Sequence, residues 1–417
     1  MVSRYGRIYI AIIFALCGIV SRAHAQTPIS RDDAVAAAVT QGARLGIARA
    51  DTSIAYAALI TARAFQNPSL SGTYSKAVPQ YHVTMDIPID LPYQRSARIG
   101  SARAARAAAQ YRFAFERAAA ALDADTTYTR AIAAREKAQL SRRNAQDSDS
   151  LRRMVISRRD AGDASDLDVE LATVTAGQAA NVAAADSLTY LSTVLDLQIV
   201  MGFAADRVAV VPTDSLTLPP APDVPPDSGS PFGPSPLRLS PLQVAAAQAA
   251  LEAARLNAQL QHRSILASPS IMAGFETGDP TGSETGILPT FGLSIPIPIL
   301  NRNRGPIAQA EAEQARARAE LSLAEVLSRT EIARARRELA IAYGKVERDR
   351  LLVAAANRVA RMSLTAYREG AASLPNVLEA QRNARDVLAQ YVDDLAAAWI
   401  AAAELKVLSL TPASSTP

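Results

Sequence analysis

The sequence predicts a mainly α-helical chain with a small β part, organised as an internal two-fold repeat of long helical hairpins that carry four β-strands. Three observations carry this reading. Motifs recur at one offset of 208 residues: Ile87-Pro88-Ile89 as Ile295-Pro296-Ile297, Ile99 and Ala102 as Ile307 and Ala310, Gly162 as Gly370, and Ala164-Ser165 as Ala372-Ser373. Val169 and Ala172 return as Val377 and Ala380 without a gap. Two alanine-rich stretches, 95–160 and 307–369, contain no proline. Just before each of them the residues alternate apolar and polar with a period of two, as half-buried strands do.

The chain opens as a secretory signal. Arg4 and Arg7 precede the apolar run Ile8 to Val20, and Ala23-His24-Ala25 offers a small-x-small cleavage site, so the mature chain is expected to begin at Gln26. The 13 residues of that run are too few for a spanning helix of about 20. Cys17 lies inside the signal, and Leu16 before it is not the small residue that lipoprotein processing expects.

Composition then excludes whole classes of function. Loss of Arg4, Arg7 and Arg22 with the signal takes the net charge from +4 to +1, so the basic pI is no argument for nucleic acid. The mature chain holds no cysteine, which rules out disulfides, thiolate metal sites and cysteine nucleophiles. His82 and His262 are its only histidines and Trp399 its only tryptophan. With aromatics at 5% and apolar residues at 49%, alanine carries the hydrophobic content, which suits closely packed helices.

Each copy reads helix, two strands, very long helix, glycine turn, returning helix. The first copy occupies 26–211 and the second 242–410, followed by a tail at 411–417; between the copies, 212–241 holds ten of the 24 prolines and cannot be regular helix. It reads either as a connector lying across the outside of the structure or as a disordered linker. The first helix is expected from Arg31 to Phe65 and its counterpart from Pro241 to Leu266. The long helices, Arg95 to Asp160 and Ile307 to Glu369, would run about 100 Å and about 95 Å at 1.5 Å per residue. Gly162 and Gly370 stop them as residues free to take positive φ do. Ser165 with Asp168 forms a capping box for the first return helix; Ser373 with Asn376 is a weaker counterpart. In the second return helix Leu374, Val377, Ala384, Leu388, Tyr391, Leu395, Ala398, Ala402 and Leu405 trace a seam near 3.5 residues per turn.

The strands are expected at Ser69 to Lys76 paired with Pro79 to Leu91, and at Ser270 to Thr277 paired with Ile287 to Ile297 across a loop from Gly278 to Gly286. In the second of them Tyr81, Val83, Met85, Ile87 and Ile89 share a face against His82, Thr84 and Asp86. At about nine to eleven residues each, they have the length and alternation of transmembrane strands, and equally of a soluble hairpin with one buried face. Four strands cannot close a barrel, and lipid tolerates no open edge, so spanning requires several chains to share one; three would supply about twelve strands.

Asn67-Pro68 before the first hairpin, Ile295-Pro-Ile-Pro-Ile-Leu-Asn-Arg-Asn-Arg-Gly305 with Ile307 and Ala310, and Tyr367-Arg-Glu-Gly370 followed by Asn376-Val-Leu-Glu-Ala-Gln381 resemble the outer-membrane efflux (TolC) family. The run Asn301 to Gly305 is similar to that of its heavy-metal cation (CzcC-like) branch. The resemblance implies a homotrimer in the outer membrane of a Gram-negative-type bacterium. Long α-helical hairpins would form a periplasmic tunnel, and four transmembrane β-strands per chain would complete a barrel. It also implies partners: a periplasmic adaptor (membrane fusion) protein, an inner-membrane pump of RND type and outer-membrane lipid.

Under that resemblance two acidic positions at the tunnel tip fall on Asn376 and Glu379, and the first departs from the family's aspartate. Asp160, Asp163, Asp166 and Asp168 cluster around Gly162 and offer an acidic collar from the other hairpin; a solvated, capped turn is the plainer alternative. Adaptor docking would use Gly162, Ala164 and Ser165 with Gly370, Ala371, Ala372 and Ser373, where small residues let another hairpin approach. No metal-ligand cluster, phosphate loop, nucleophile motif or cofactor-binding motif is present, so an enzyme is not expected. His82 and Asp86, two steps apart on a polar strand face, read as barrel lining more readily than as a metal contact, and His262 as a solvated residue. The expected function is the passive outer-membrane channel of a tripartite efflux system for heavy-metal cations or drugs. A duct for type I protein secretion and a soluble periplasmic coiled-coil scaffold are the alternatives.

Overall fold

The long helices begin three residues earlier than the proline-free stretches. In a computed structural model that describes residues 27–204, 210–220, 241–266, 268–278 and 286–411, α3 spans Pro92–Asp160 and α6 spans Arg304–Arg368. Each carries a proline in its first turn, Pro92 or Pro306, where an N–H has no intrahelical acceptor to lose. The returning helices are α4 (Asp166–Val200) and α7 (Leu374–Leu408), each of 35 residues. The expected signal, most of the proline-rich stretch, the 278–286 loop interior and most of the tail lie outside the described residues.

The first helix is not continuous. It divides into α1 (Arg31–Gln41) and α2 (Ala43–Arg63) at Gly42, whose ψ of 130° leaves the helical region. A side chain at Gly42 would meet the Ala38 carbonyl oxygen at 2.4 Å, so the break is tight as well as extended. The counterpart helix α5 runs Leu242–Arg263.

Two compact units are formed, and each draws on both halves of the sequence. The first comprises residues up to Gly42 with Asp123–Pro219 and Ala342–Ile400; the second comprises Ala43–Leu122, Pro220–Ile341 and the residues from Ala401.

In the first unit, β1 (Thr27–Ile29) pairs in parallel with β4 (Val210–Pro212), and the chain continues to Pro219 as a strap. Pro212 and Pro219 deny the strap a helix or sheet ladder, so its carbonyls take side-chain donors instead. Arg135 donates to the carbonyls of Pro212 and Asp214, Trp399 Nε1 to Thr217 at 2.6 Å, and Tyr343 Oη to Pro219 at 2.8 Å. The Asp214 carboxylate accepts from the Arg31 backbone N–H and from the buried Tyr128 hydroxyl, both at 2.9 Å. Arg31 in turn stacks over Trp399, 4.0 Å from the ring centre, and pairs with Asp125. Leu216 is the apolar anchor. It packs against the core around Tyr128, Ile132 and Leu197, against that of Val346, Leu395 and Ala398, and against Ala133 with Val392 and Ala396. Residues 212–219 of the connector therefore lie on this unit as a strap. The seam along α7 is buried at Leu374, Val377, Ala384, Leu395, Ala398, Ala402 and Leu405.

In the second unit, β2 (Ser69–Tyr74), β3 (Tyr81–Pro88), β5 (Ser270–Thr277) and β6 (Leu288–Ser294) form one antiparallel sheet in that order. The strands have six, eight, eight and seven residues; β5 has the expected bounds and the other three are shorter than expected. For β3 and β6 the reason is proline chemistry: β3 ends at Pro88, and beyond β6 Pro296 and Pro298 have no N–H to donate to a ladder.

Leu216→Ala is expected to cost about 1–2 kcal/mol, below the range of about 2–5 kcal/mol for a fully buried leucine because Leu216 is only partly covered. Chemical denaturation of the full chain measures it; an unchanged midpoint and slope would show that the strap adds nothing to this unit.

Candidate functional site

The residues singled out at the glycine turns come together in the first unit, where the ends of the two long hairpins pack on one another. Leu151 and Val155 of α3, Ala172 of α4, Tyr367 of α6 and Leu374 and Val377 of α7 form one buried cluster, with Ala164 and Val169 against it. Apolar residues of all four helices thus fix the two tips as a single body.

Both long helices stop in the same way. Gly162 has φ +85° and Gly370 φ +77°, and a Cβ at either would meet nothing within 4 Å, so backbone conformation and not crowding selects glycine. At the first, Asp163 N–H donates to Arg158 O and Gly162 N–H to Arg159 O, each 2.8 Å; at the second, Ala371 N–H donates to Ala366 O at 2.8 Å and Gly370 N–H to Tyr367 O at 3.0 Å. These paired 6→1 and 5→2 bonds are Schellman closures. Beyond the glycine the two turns differ. Ser165 Oγ accepts from Asp168 N–H at 3.2 Å and Asp168 Oδ2 accepts from Ser165 N–H at 3.0 Å, the full capping box. Ser373 and Asn376 form no such box among the described residues; Pro375 between them removes one of the N–H groups that a cap would serve.

The four aspartates have separate duties. Asp168 is half-buried and engaged in the cap. Asp160 pairs with Arg159 at 2.6 Å, and the same guanidinium lies 3.9 Å from Asp166, whose side chain is 92% exposed. Asp163 is exposed, as are Asn376 and Glu379 on α7. Of the small residues proposed for docking, Gly162, Ser165, Gly370, Ala371 and Ser373 are exposed, while Ala164 and Ala372 are half-buried at equivalent places in the two turns.

Sequence reasoning missed the polar contact that joins the tips. The Arg158 guanidinium donates to the Tyr367 carbonyl and lies 4.8 Å from the centre of that residue's ring. Burial raises the Tyr367 phenol above its ordinary value, Arg158 offsets part of this and Asp168 adds to it. Its hydroxyl is buried and has no hydrogen-bond partner among the described residues. Tyr367 was legible as a residue one turn before the glycine stop. Arg158 was not, because Arg152, Arg153 and Arg159 share its stretch and nothing in the pattern separates them.

The second unit presents the other candidate surface. The register places Leu70, Tyr74, Tyr81, Val83, Met85, Ile87, Ile271, Phe275, Phe291 and Leu293 on one face of the sheet. That face is uncovered: Leu70 is 74% and Phe291 80% exposed. Ser71, Thr84, His82, Asp86, Ser270, Glu276 and Thr290 lie on the opposite face, with Met272 and Leu288 as its apolar exceptions. There His82 Nδ1 is 3.2 Å from Glu276 Oε1, Ser270 Oγ donates to Asp86 at 3.1 Å, and Ser71 and Thr84 hydroxyls are 2.7 Å apart. His82 and Asp86 therefore have separate protein partners. No group of three or more His, Cys, Asp or Glu able to hold a metal occurs among the described residues, and none of their helices is long and apolar enough to cross a membrane.

The run Asn301 to Gly305 has a structural role. Asn303 takes φ +58°, its side-chain amide donates to Gln261 O at 2.8 Å, and its carbonyl accepts from Ile307 N–H at 3.0 Å as α6 begins. It is the joint by which the sheet's last strand is turned into a helix against the end of α5. His262 is exposed but pairs with Glu311 at 2.9 Å.

Alanine at Gly162 or Gly370 is expected to cost about 1–2 kcal/mol through the left-handed backbone alone, and asparagine less. Hydrogen exchange of the Asp163 and Ala371 amides reads this directly; equal protection in glycine and alanine variants would contradict it.

Residues 234–409 match the sequence model of a family described as outer membrane efflux protein. No curated protein matches the chain. Among solved structures, a membrane protein from Pseudomonas aeruginosa superposes with a TM-score of 0.75 at 19% identity, covering 91% of this chain and 90% of its own. The outer membrane protein VceC from Vibrio cholerae gives 0.74 at 16% identity, covering 91% and 95%. The Campylobacter jejuni CmeC outer membrane channel gives 0.74 at 13% identity, covering 91% and 85%. At these identities the likeness is one of fold, and it extends over nearly the whole of each chain.

Proposed function

We propose that this chain is the protomer of a trimeric outer-membrane exit duct, the passive channel of a tripartite efflux system that works with a periplasmic adaptor and an RND-type pump. The observation that carries the proposal is the sheet: one face apolar and uncovered, the other polar, with β2 and β6 as unpaired edges. In hydrocarbon such edges need partners, since each unsatisfied backbone group costs several kcal/mol. Copies of the same chain supply them if β6 of one pairs with β2 of the next. Three copies bring about twelve strands, with the serines, threonines, His82, Asp86 and Glu276 lining water and the aromatic and aliphatic face turned to lipid. The match over 234–409 to an outer membrane efflux family and the shared fold with outer membrane proteins support this reading.

The hairpin tips then become the periplasmic entrance. Asp163 and Asp166, exposed and only loosely held, together with Asn376 and Glu379, are the constriction, and Gly162 to Ser165 with Gly370 to Ser373 receive the adaptor. The cargo is proposed as heavy-metal cations or drugs. The Asn301 to Gly305 run does not discriminate between them, because its contacts are those of a strand-to-helix joint. Deletion of the gene with measurement of tolerance to divalent cations and to drugs separates the two.

The mature chain lacks cysteine, so an edge pair can be placed cleanly. Ser71→Cys on β2, combined in turn with Thr290→Cys and Ser294→Cys on β6, is expected to give oxidised species that stop at three linked chains. Folded protein that never cross-links contradicts the shared barrel. In a planar bilayer, Asp163→Ala with Asp166→Ala is expected to raise single-channel conductance; unchanged conductance removes these residues from the constriction.

A further inference from the structure

Within the α6–α7 hairpin of the first unit, two carboxyl groups face one another. Asp349 of α6 lies within hydrogen-bonding reach of Asp394 of α7. Asp394 is only 6% exposed, and both its oxygens are supplied: Gln390 Nε2 donates to Oδ2 at 3.0 Å and Lys345 Nζ lies 3.4 Å from Oδ1. Asp349 is placed differently. Its Oδ2 is shut off from solvent and has no donor among the described residues.

The surrounding charges do not resolve this. On α6, Lys345 is committed to Asp394, and Arg348 acts on Asp349 through its field. On α7 the neighbouring Asp393 is paired with Lys137 of α3 at 2.6 Å. The strap contributes Leu216 to this layer, and Tyr391 packs beside it. One lysine in contact, with Arg348 acting only through its field, is thus set against two facing carboxyls. Two ionised carboxylates are both acceptors and cannot bond to each other, whereas a single proton between them satisfies the orphaned oxygen and removes one charge.

We propose that Asp349 and Asp394 share one proton that fastens α6 to α7, making this hairpin a proton-dependent latch. With the proton lost, two anions face each other across the helix pair and the layer loosens. The inference stands apart from the channel reading, since it concerns packing within one chain.

The titration directions agree with the geometry. Burial, then the hydrogen bond to Asp394 and its charge, hold the Asp349 carboxyl above the ordinary carboxylate range. Asp394, although burial opposes it, is held below that range by bonds from Gln390 and Asp349 and by Lys345. A raised carboxyl contributes stability that is full below its unfolded value and is lost as pH rises through its folded one; a depressed carboxyl contributes above its unfolded value and loses this as pH falls. The pair therefore supports the hairpin most at intermediate pH. The loss as pH rises belongs to Asp349 and the loss as pH falls to Asp394, as a coupled titration.

The test is the thermal midpoint of the full, detergent-purified chain from about pH 3 to about pH 8, which spans the ordinary carboxylate value and the range above it. Asp349→Asn supplies a permanent donor, so the fall on the high-pH side should flatten and the midpoint there should rise by about 1–3 °C over the parent. Asp394→Asn should also remove the slope on the high-pH side while lowering the midpoint throughout, because Lys345 and Gln390 lose their acceptor. An offset that is the same at every pH overturns the latch, as does Asp349→Asn falling below the parent on the high-pH side. If Asp349→Asn does not yield folded protein, aspartate-labelled, isotope-edited infrared spectra of the parent decide: a protonated aspartate carbonyl band that persists above the ordinary carboxylate range is expected, and its absence there defeats the proposal.

Discussion

A four-stranded sheet with two unpaired edges and an uncovered apolar face is the constraint on which everything else in this molecule depends. Its two faces are sorted by the period of the strands, so a shift of one residue would move every side chain to the wrong side. In water the bare edges invite uncontrolled pairing, and in hydrocarbon they carry unsatisfied backbone groups. Neither surrounding leaves the sheet alone as it stands, and in the proposed barrel a neighbouring copy on either side supplies a partner for each edge.

The helices answer a different demand. α3 and α6 are long because proline is kept out of their interiors and admitted only in the first turn, and they stop where a glycine takes the left-handed conformation. The same closure is built twice, but the tips are not equivalent: Ser165 and Asp168 lock one return helix, while Pro375 leaves the other uncapped. The half containing α6 and α7 thus has the weaker start, and it also holds the mismatched pair Asp349 and Asp394. Against this, the strap from Val210 to Pro219 fastens α3, α6 and α7 through carbonyls that only side chains can serve.

Much of this was legible in the sequence because it is periodic or local. The 3.5-residue seam from Leu374 to Leu405 is largely the buried face of α7, and the alternation from Tyr81 to Ile87 is the division of the sheet. The capping box at Ser165 arises from residue types three apart. What could not be read depends on partners distant in sequence. Arg158 meets Tyr367, Asp349 meets Asp394, and Trp399 meets Thr217, none of which leaves a pattern in the chain. The expected continuous first helix failed at Gly42, where the signal was a lone glycine that a helix often tolerates. The length of the last strand was overstated because apolar alternation continues through Pro296 and Pro298, which cannot hold a ladder.

The particle mass of the protein extracted from membranes, measured by light scattering with the detergent contribution removed, tests the shared sheet most directly. Three chains per particle, recovered from the outer-membrane fraction and not from the aqueous extract, is the result this account requires. A single chain, soluble without detergent and with the apolar face of its sheet protected from solvent, would contradict it.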